Sequence, residues 1–323
     1  MKLQSNWRSS SAIATLATVL AVATPVAVKA QVPTVRVDGS STVFPITQAV
    51  AEEFQAEQRG NVRVTVGVSG TGGGFQKFCI EDGTHISNAS RPIKDSEAEA
   101  CEAAGVEFIE IPVAYDAISV VVSDENDFIE SMTLEQLTML WSVESQDDVT
   151  LWSDIDPDWP AEEIELYGPG ADSGTFDYFV EDVIEVDSRT DYTPSEDDNV
   201  IVRGVSGSEF ALGYFGLTYY LNNQDELRAV AVQNEDGDFV YPSADSVNDG
   251  SYNPLSRPIY IYVNKQAAED IPEVAAFVEY YLENADDFVS AVDYVPLPSE
   301  DYEAAMNRFE SGETGAIRLR EGL

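Results

Sequence analysis

Histidine occurs once in this 323-residue chain, at His85, and cysteine twice, at Cys79 and Cys101. So few nitrogen and sulfur ligands argue against a metal centre, and a single imidazole leaves little for a catalytic triad; a Gly-x-Ser-x-Gly elbow is also absent. No cofactor is expected. Basic residues are scarce too: 17 Lys and Arg stand against 59 Asp and Glu, a formal charge of −42. Nucleic acid needs a basic face, so that class of partner is excluded. There is no repeat of fixed period and no low-complexity stretch, and beyond residue 30 no apolar run is long enough to span a bilayer. Asp154, Asp156, Asp158 and Glu165 are spaced like a calcium loop, but Trp159 stands where the sharp turn requires glycine.

Residues 1–30 read as a secretory signal: Lys2 and Arg8 make a basic start, an apolar stretch follows over about residues 12–28, and Val28-Lys29-Ala30 offers small residues before a cut. The mature chain then starts near Gln31, exported and without the cysteine that a lipid anchor would use. In an oxidising compartment Cys79 and Cys101 read most simply as a disulfide, the alternative being two free buried thiols. The remaining length exceeds a usual single core and favours two lobes. The acidity reads as a solvated surface suited to concentrated salt, where screening shrinks to about 3 Å at 1 M, and describes habitat rather than activity.

Three segments rich in Gly, Ser and Thr punctuate the chain: Gly39-Ser40-Ser41-Thr42-Val43-Phe44-Pro45, Ser69-Gly70-Thr71-Gly72-Gly73-Gly74 and Gly168-Pro169-Gly170-Ala171-Asp172-Ser173-Gly174-Thr175. Each stands where the pattern passes from strand to helix. A helix N-terminus offers unpaired N–H groups and partial positive charge, glycine lets an oxyanion approach the main chain, and hydroxyls add donors. Around them Val35-Arg36-Val37 and residues 62–66 alternate like strands, with Ile46, Val50 and Phe54 at helical spacing between. Residues 108–112 and 117–122 read as two further strands, the second fully buried, and residues 211–216 and 258–263 as two more. A helix over residues 173–185 places Phe176, Phe179, Val180, Val183 and Ile184 on one face, and a second over residues 272–284 turns Val274, Phe277, Val278, Tyr281 and Leu282 inward. Residues 187–199 and 233–253 read as solvated loops.

With these segments in order (GSSTVFPI at 39–46, SGTGGG at 69–74, ISNASRPI at 86–93, PVAYDAISVVV at 112–122, GPGADSGTFDYF at 168–179 and ALGYFG at 211–216), the chain resembles the substrate-binding proteins of phosphate ABC transporters, of the PstS/SphX type and cyanobacterial-like in its Asn-Ala-Ser-Arg-Pro run. The resemblance implies an α/β, two-lobed type II periplasmic binding protein fold with two hinge-crossing strands. Residues 31–114 and 258–323 would form one lobe and 115–257 the other, with crossings near 113–116 and 256–259. It implies a monomer in the periplasm that captures inorganic phosphate and hands it to a transmembrane permease. The phosphate ligands carried over by motif are Ser41, Thr42 and Val43, then Thr71 and Gly72, then Arg91, then Ser173, Gly174 and Thr175.

This chain departs from enteric members of that family at two positions: Arg91 stands where they have Asp, and Pro169 where they have Arg. A guanidinium fork can still meet two phosphate oxygens from the first lobe. The carboxylate that accepts the proton of hydrogen phosphate is then expected at Asp172 or Asp116, each of which has a plainer role as helix cap or hinge anchor. Such a carboxylate repels unprotonated sulfate. The rival readings are a binding protein for sulfate or molybdate and a secreted phosphatase.

Overall fold

The computed structural model describes residues 32–171 and 173–317; residues 1–30, expected to be a signal, and Asp172 lie outside them. In chain order the strands are β1 Thr34–Gly39, β2 Arg63–Val66, β3 Ile86–Ala89, β4 Phe108–Ser123, β5 Ser131–Met132, β6 Glu165–Pro169, β7 Thr193–Ser195, β8 Ala211–Gly216, β9 Leu227–Ala229, β10 Ala231–Gln233, β11 Phe239–Val240 and β12 Ser256–Asn264. The main sheet runs β2-β1-β3-β12-β4-β8-β6-β7, with β9 also paired to β4; β11, β10 and β5 make a small separate sheet.

β4 belongs to both halves of this sheet. Residues 108–117 pair antiparallel with β12, while Ile118–Val122 pair with β8. Residues 108–122 are therefore one strand, not the two that the sequence pattern suggests. The reason lies at Pro112, which cannot donate a ladder bond: the register slips there, Ile259 facing Ala114 and Tyr260 facing Pro112, so that Val113 is bulged and the strand bends without ending. Beyond the bulge the Tyr115 N–H donates to the Val295 carbonyl at 2.8 Å, and Val295 N–H returns the bond at 3.1 Å. Each crossing thus rests on a main-chain ladder.

Side chains alternate along these strands to feed separate cores. Ile109, Ile111, Val113, Ile259, Ile261 and Val263 join Val35, Val37, Ile46, Val50, Phe54 and the inward face of the helix Pro272–Glu283. On the opposite face of the same half, Phe108, Tyr260 and Tyr262 pack with Phe75, Phe78 and both cysteines. Past the bulge, Ile118, Val120 and Val122 enter another core with Trp141, Trp152, Phe179 and Tyr214, and Val121 faces Ile201, Val205 and Phe215 on the other side. Each half of the sheet is thus covered on both faces, as a doubly wound α/β arrangement requires. Cys79 and Cys101 are joined in a disulfide.

All three glycine-rich segments connect a strand to a helix. β1 passes to helix α1 (Phe44–Glu57), the segment after β2 opens helix α2 (Gly70–Phe78), and β6 leads to a short helix at Gly174–Tyr178. The segment after β3 carries Arg91 and leads to helix α3 (Asp95–Ala103). Gly39 has φ +143°, and a Cβ there would strike the Asn88 main chain, so β1 and β3 meet closely only because this residue lacks a side chain. The helix expected over residues 173–185 is α-helical only to Tyr178 and then opens into a π turn, Phe179–Val183. The wider turn rotates the apolar face, so Tyr178, Phe179 and Val183 are buried while Phe176 and Val180 are half-exposed. The loops at 187–199 and 233–253 include short ordered pieces, Thr193–Ser195, Phe239–Val240 and Ala244–Asn248.

Candidate functional site

A cleft of about 530 Å³ lies at the ends of the strand-to-helix connections. Ser40, Ser41 and Thr42 enter it from the β1–α1 turn, Gly70, Thr71 and Gly72 from the start of α2, and Ser90, Arg91 and Lys94 from the segment before α3. The opposite wall is Asp177, Tyr178, Glu181 and Asp182, with Arg257 from β12. These loops interlock. Ser40 Oγ accepts the Thr42 N–H at 3.2 Å, shaping the first turn. Thr71 Oγ1 accepts the Ser90 N–H at 3.1 Å and lies 3.0 Å from Ser90 Oγ, tying the second loop to the third. Ile93 N–H donates to Tyr262 Oη at 2.8 Å, and that hydroxyl donates to the buried Glu110 carboxylate at 2.5 Å, which anchors the chain just past Arg91 to β12 and β4.

Arg91 is held by Glu97, with Nη1 donating to Oε2 at 2.9 Å and Nη2 to Oε1 at 2.8 Å. The same Oε2 accepts the Lys94 N–H at 2.9 Å at the start of α3. The Glu97 bond raises the Arg91 pKa against the opposing effect of burial. Burial pushes Glu97 upward, but the hydrogen bonds from Arg91 and Lys94 outweigh it and leave its pKa lowered. Across the cleft, burial lifts Asp177 above the ordinary carboxylate value, partly offset by Arg257. Three cations, Arg91, Lys94 and Arg257, and three carboxylates, Asp177, Glu181 and Asp182, thus line the cleft, Arg257 standing among the carboxylates and paired with Asp182.

Of the residues expected from sequence, Ser41, Thr42, Thr71, Gly72 and Arg91 meet in this cleft. Val43 is fully buried in the core beneath it. Ser173, Gly174 and Thr175 are not part of the cleft lining. Ser173 caps its helix, its Oγ accepting the Thr175 N–H at 3.2 Å, and Gly174 lies against Thr42. Thr175 lines a second cavity of about 160 Å³, with Pro45, Asp116, Asp198, Asp293 and Tyr294. Asp116 belongs to that cavity rather than to the cleft; it is buried, its pKa raised by desolvation, and it pairs with Arg257 at 3.4 Å. Asp172 is outside the described residues.

Sequence reasoning missed Lys94, Arg257 and the carboxylate wall. Asp177 and Tyr178 were in view inside the GTFDYF run, and Arg257 inside a hinge crossing. Glu181 follows Asp177 by four residues and shares its side in an ordinary helix, whereas Asp182 comes round to that side only with the wider π turn. Among the described residues no group of three or more His, Cys, Asp or Glu side chains is arranged to hold a metal ion, and no helix is long and apolar enough to cross a membrane.

The fold and the cleft between the ends of its loops define a solute-binding protein, and residues 24–285 match the model of the PBP superfamily domain, to which this chain belongs. Among its relatives are Protein SphX of Synechococcus elongatus, 46% identical over 91% of this chain and 86% of that one, and the phosphate-binding protein PstS of Staphylococcus saprophyticus, 38% identical over 85% and 84%. The crystal structure of a possible phosphate binding protein from Planctomyces limnophilus superposes with a TM-score of 0.81 at 42% identity, covering 87% of this chain and 98% of that one.

Proposed function

We propose that this protein captures inorganic phosphate in the cleft and delivers it to the permease of an ABC transporter. The observation that carries the reading is the convergence of Ser41, Thr42, Thr71, Gly72 and Arg91 on one cleft, in a chain whose relatives include a phosphate-binding protein. Hydroxyls and helix-start amides supply directional donors there, and Arg91 and Lys94 supply charge. Val43 contributes through its main chain, its side chain being buried. Ser173, Gly174 and Thr175 lie outside the cleft lining, and we propose that their loop reaches the ligand only when it moves further onto the Thr42 turn that Gly174 already touches. We assign the lobes to residues 31–114 and 258–323 and to 115–257, hinged at 113–116 and 256–259; the two cores on each side of the β4 bulge support this division. The protein acts by binding without turnover, as an exported monomer in the periplasm, with its signal cut near Ala30.

Local donors carry this affinity, because an acidic surface opposes long-range attraction of an anion. Micromolar binding requires about −8 kcal/mol, within reach of several such contacts. Calorimetric titration with phosphate, sulfate and molybdate at pH 5 and pH 8 tests the reading. Stoichiometric phosphate binding that changes with pH, together with no product from a chromogenic phosphate ester, is expected. Preference for sulfate or molybdate, or a burst of product from the ester, overturns it.

A further inference from the structure

Arg91 is not the only guanidinium in the cleft, and its fork is already engaged by Glu97. The other is Arg257, which stands on the crossing strand β12 directly opposite Asp116 of β4. Its position is set from three sides. The guanidinium carbon lies 3.8 Å from the centre of the Tyr178 ring, Nη2 lies 3.4 Å from Asp116 Oδ2, and Nη1 donates to Asp182 Oδ2 at 2.5 Å. These contacts are unequal in kind. Asp116 is 4% exposed and Tyr178 is buried, so the first two belong to the protein interior. Asp182 is 46% exposed, on the rim of the cleft. Ion pairs to exposed carboxylates are the weak ones, since water and salt compete for both partners. An oxyanion with two charges, arriving where Nη1 points, makes the same hydrogen bond with more charge behind it.

We infer that Arg257 is a direct ligand of the anion, supplied by the hinge strand, and that Asp182 is the group the anion displaces from it. The inference rests on the phosphate reading of the cleft. Tyr178 and Asp116 hold the guanidinium plane in place, so little side-chain freedom is lost when the anion binds. Because Arg257 sits at the start of β12, where the chain leaves the core that holds Leu255 and joins the half of the sheet built on residues 108–117 of β4, its contact ties ligand binding to the hinge. Asp182 gives the site a built-in competitor of the same charge as its ligand.

The test is calorimetric titration of the mature protein with inorganic phosphate in four forms: wild type, Arg257→Gln, Asp182→Asn and the double variant. Arg257→Gln is expected to weaken binding at least tenfold. Asp182→Asn is expected to tighten it about threefold or more, a gain that vanishes in the double variant because no fork remains to be freed. Unchanged affinity in Arg257→Gln overturns the inference, as does unchanged or weaker binding in Asp182→Asn. Should Arg257→Gln fail to fold, with Asp116 left buried and unpaired, the Asp182→Asn arm decides alone. Wild-type protein that takes up no phosphate overturns the reading of the cleft and this inference with it, whereas wild-type binding with an unaffected Arg257→Gln overturns the inference only.

Discussion

Thr42 and Gly174 meet across the molecule, one from the turn that follows β1 and the other from the loop that follows β6: a Cβ built on Gly174 would stand 2.9 Å from Thr42 Oγ1 and 3.3 Å from its Cα. That gap is too small for a methyl group. Since Thr42 is buried and its Cα is main chain, the strain would fall on the approach of the two loops. Gly174→Ala is therefore expected to lower phosphate affinity about tenfold, equivalent to about 1.4 kcal/mol and at the low end of the cost of overpacking. Titration calorimetry on the folded variant checks this, and an affinity equal to wild type would show that the loops need not touch.

Arg91→Ala is expected to weaken phosphate binding by at least tenfold, one charge-assisted contact being worth about 1.5–3 kcal/mol. The loss has two sources, because Glu97 would then face the cleft with its Arg91 partner gone. Circular dichroism should be unchanged. Wild-type affinity in the calorimeter would remove Arg91 from the site.

The Cys79–Cys101 bridge closes a loop whose ends are 22 positions apart. In the chain-entropy account, a loop of that length contributes about 3 kcal/mol by restricting the unfolded chain. Reductant is expected to lower the melting temperature by several degrees. Coincident melting curves with and without reductant would mean that the bridge contributes nothing.

His85 is buried, and its Nδ1 accepts the Arg36 N–H at 3.3 Å. Burial first, and the nearby Arg36 charge second, lower its pKa from 6.5 to about 4. The folded protein thus binds this proton less readily than the unfolded chain. The resulting stability is fully present above about pH 6.5 and is lost as the pH falls toward 4. With one histidine in the sequence, imidazole NMR signals are unambiguous: a midpoint near 4 is expected, and one near 6.5 would contradict the burial.

How much of this was legible in the sequence follows from the range over which each feature is encoded. Glycine, serine and threonine at a strand end, and apolar residues at spacings of two or of three and four, act over a few residues. They located the three strand-to-helix turns, the inward face of residues 272–284 and the residues of three cleft loops. The π turn at Phe179–Val183 was illegible because packing of Tyr178 and Phe179, not local spacing, decides where the helix widens.

The sequence by itself determined the α/β character, the glycine-rich turns between strand and helix and the scarcity of histidine and cysteine, since these depend on composition and on neighbours along the chain. Only the tertiary structure decided that residues 108–123 form one bent strand, that Arg91 is gripped by Glu97, and that Arg257 and Asp182 stand at the same cleft as Thr42. Those outcomes depend on the register between β4 and β12 and on how each half of the sheet is covered. Such contacts join residues far apart in the chain, and their cost and gain appear only when the halves are assembled.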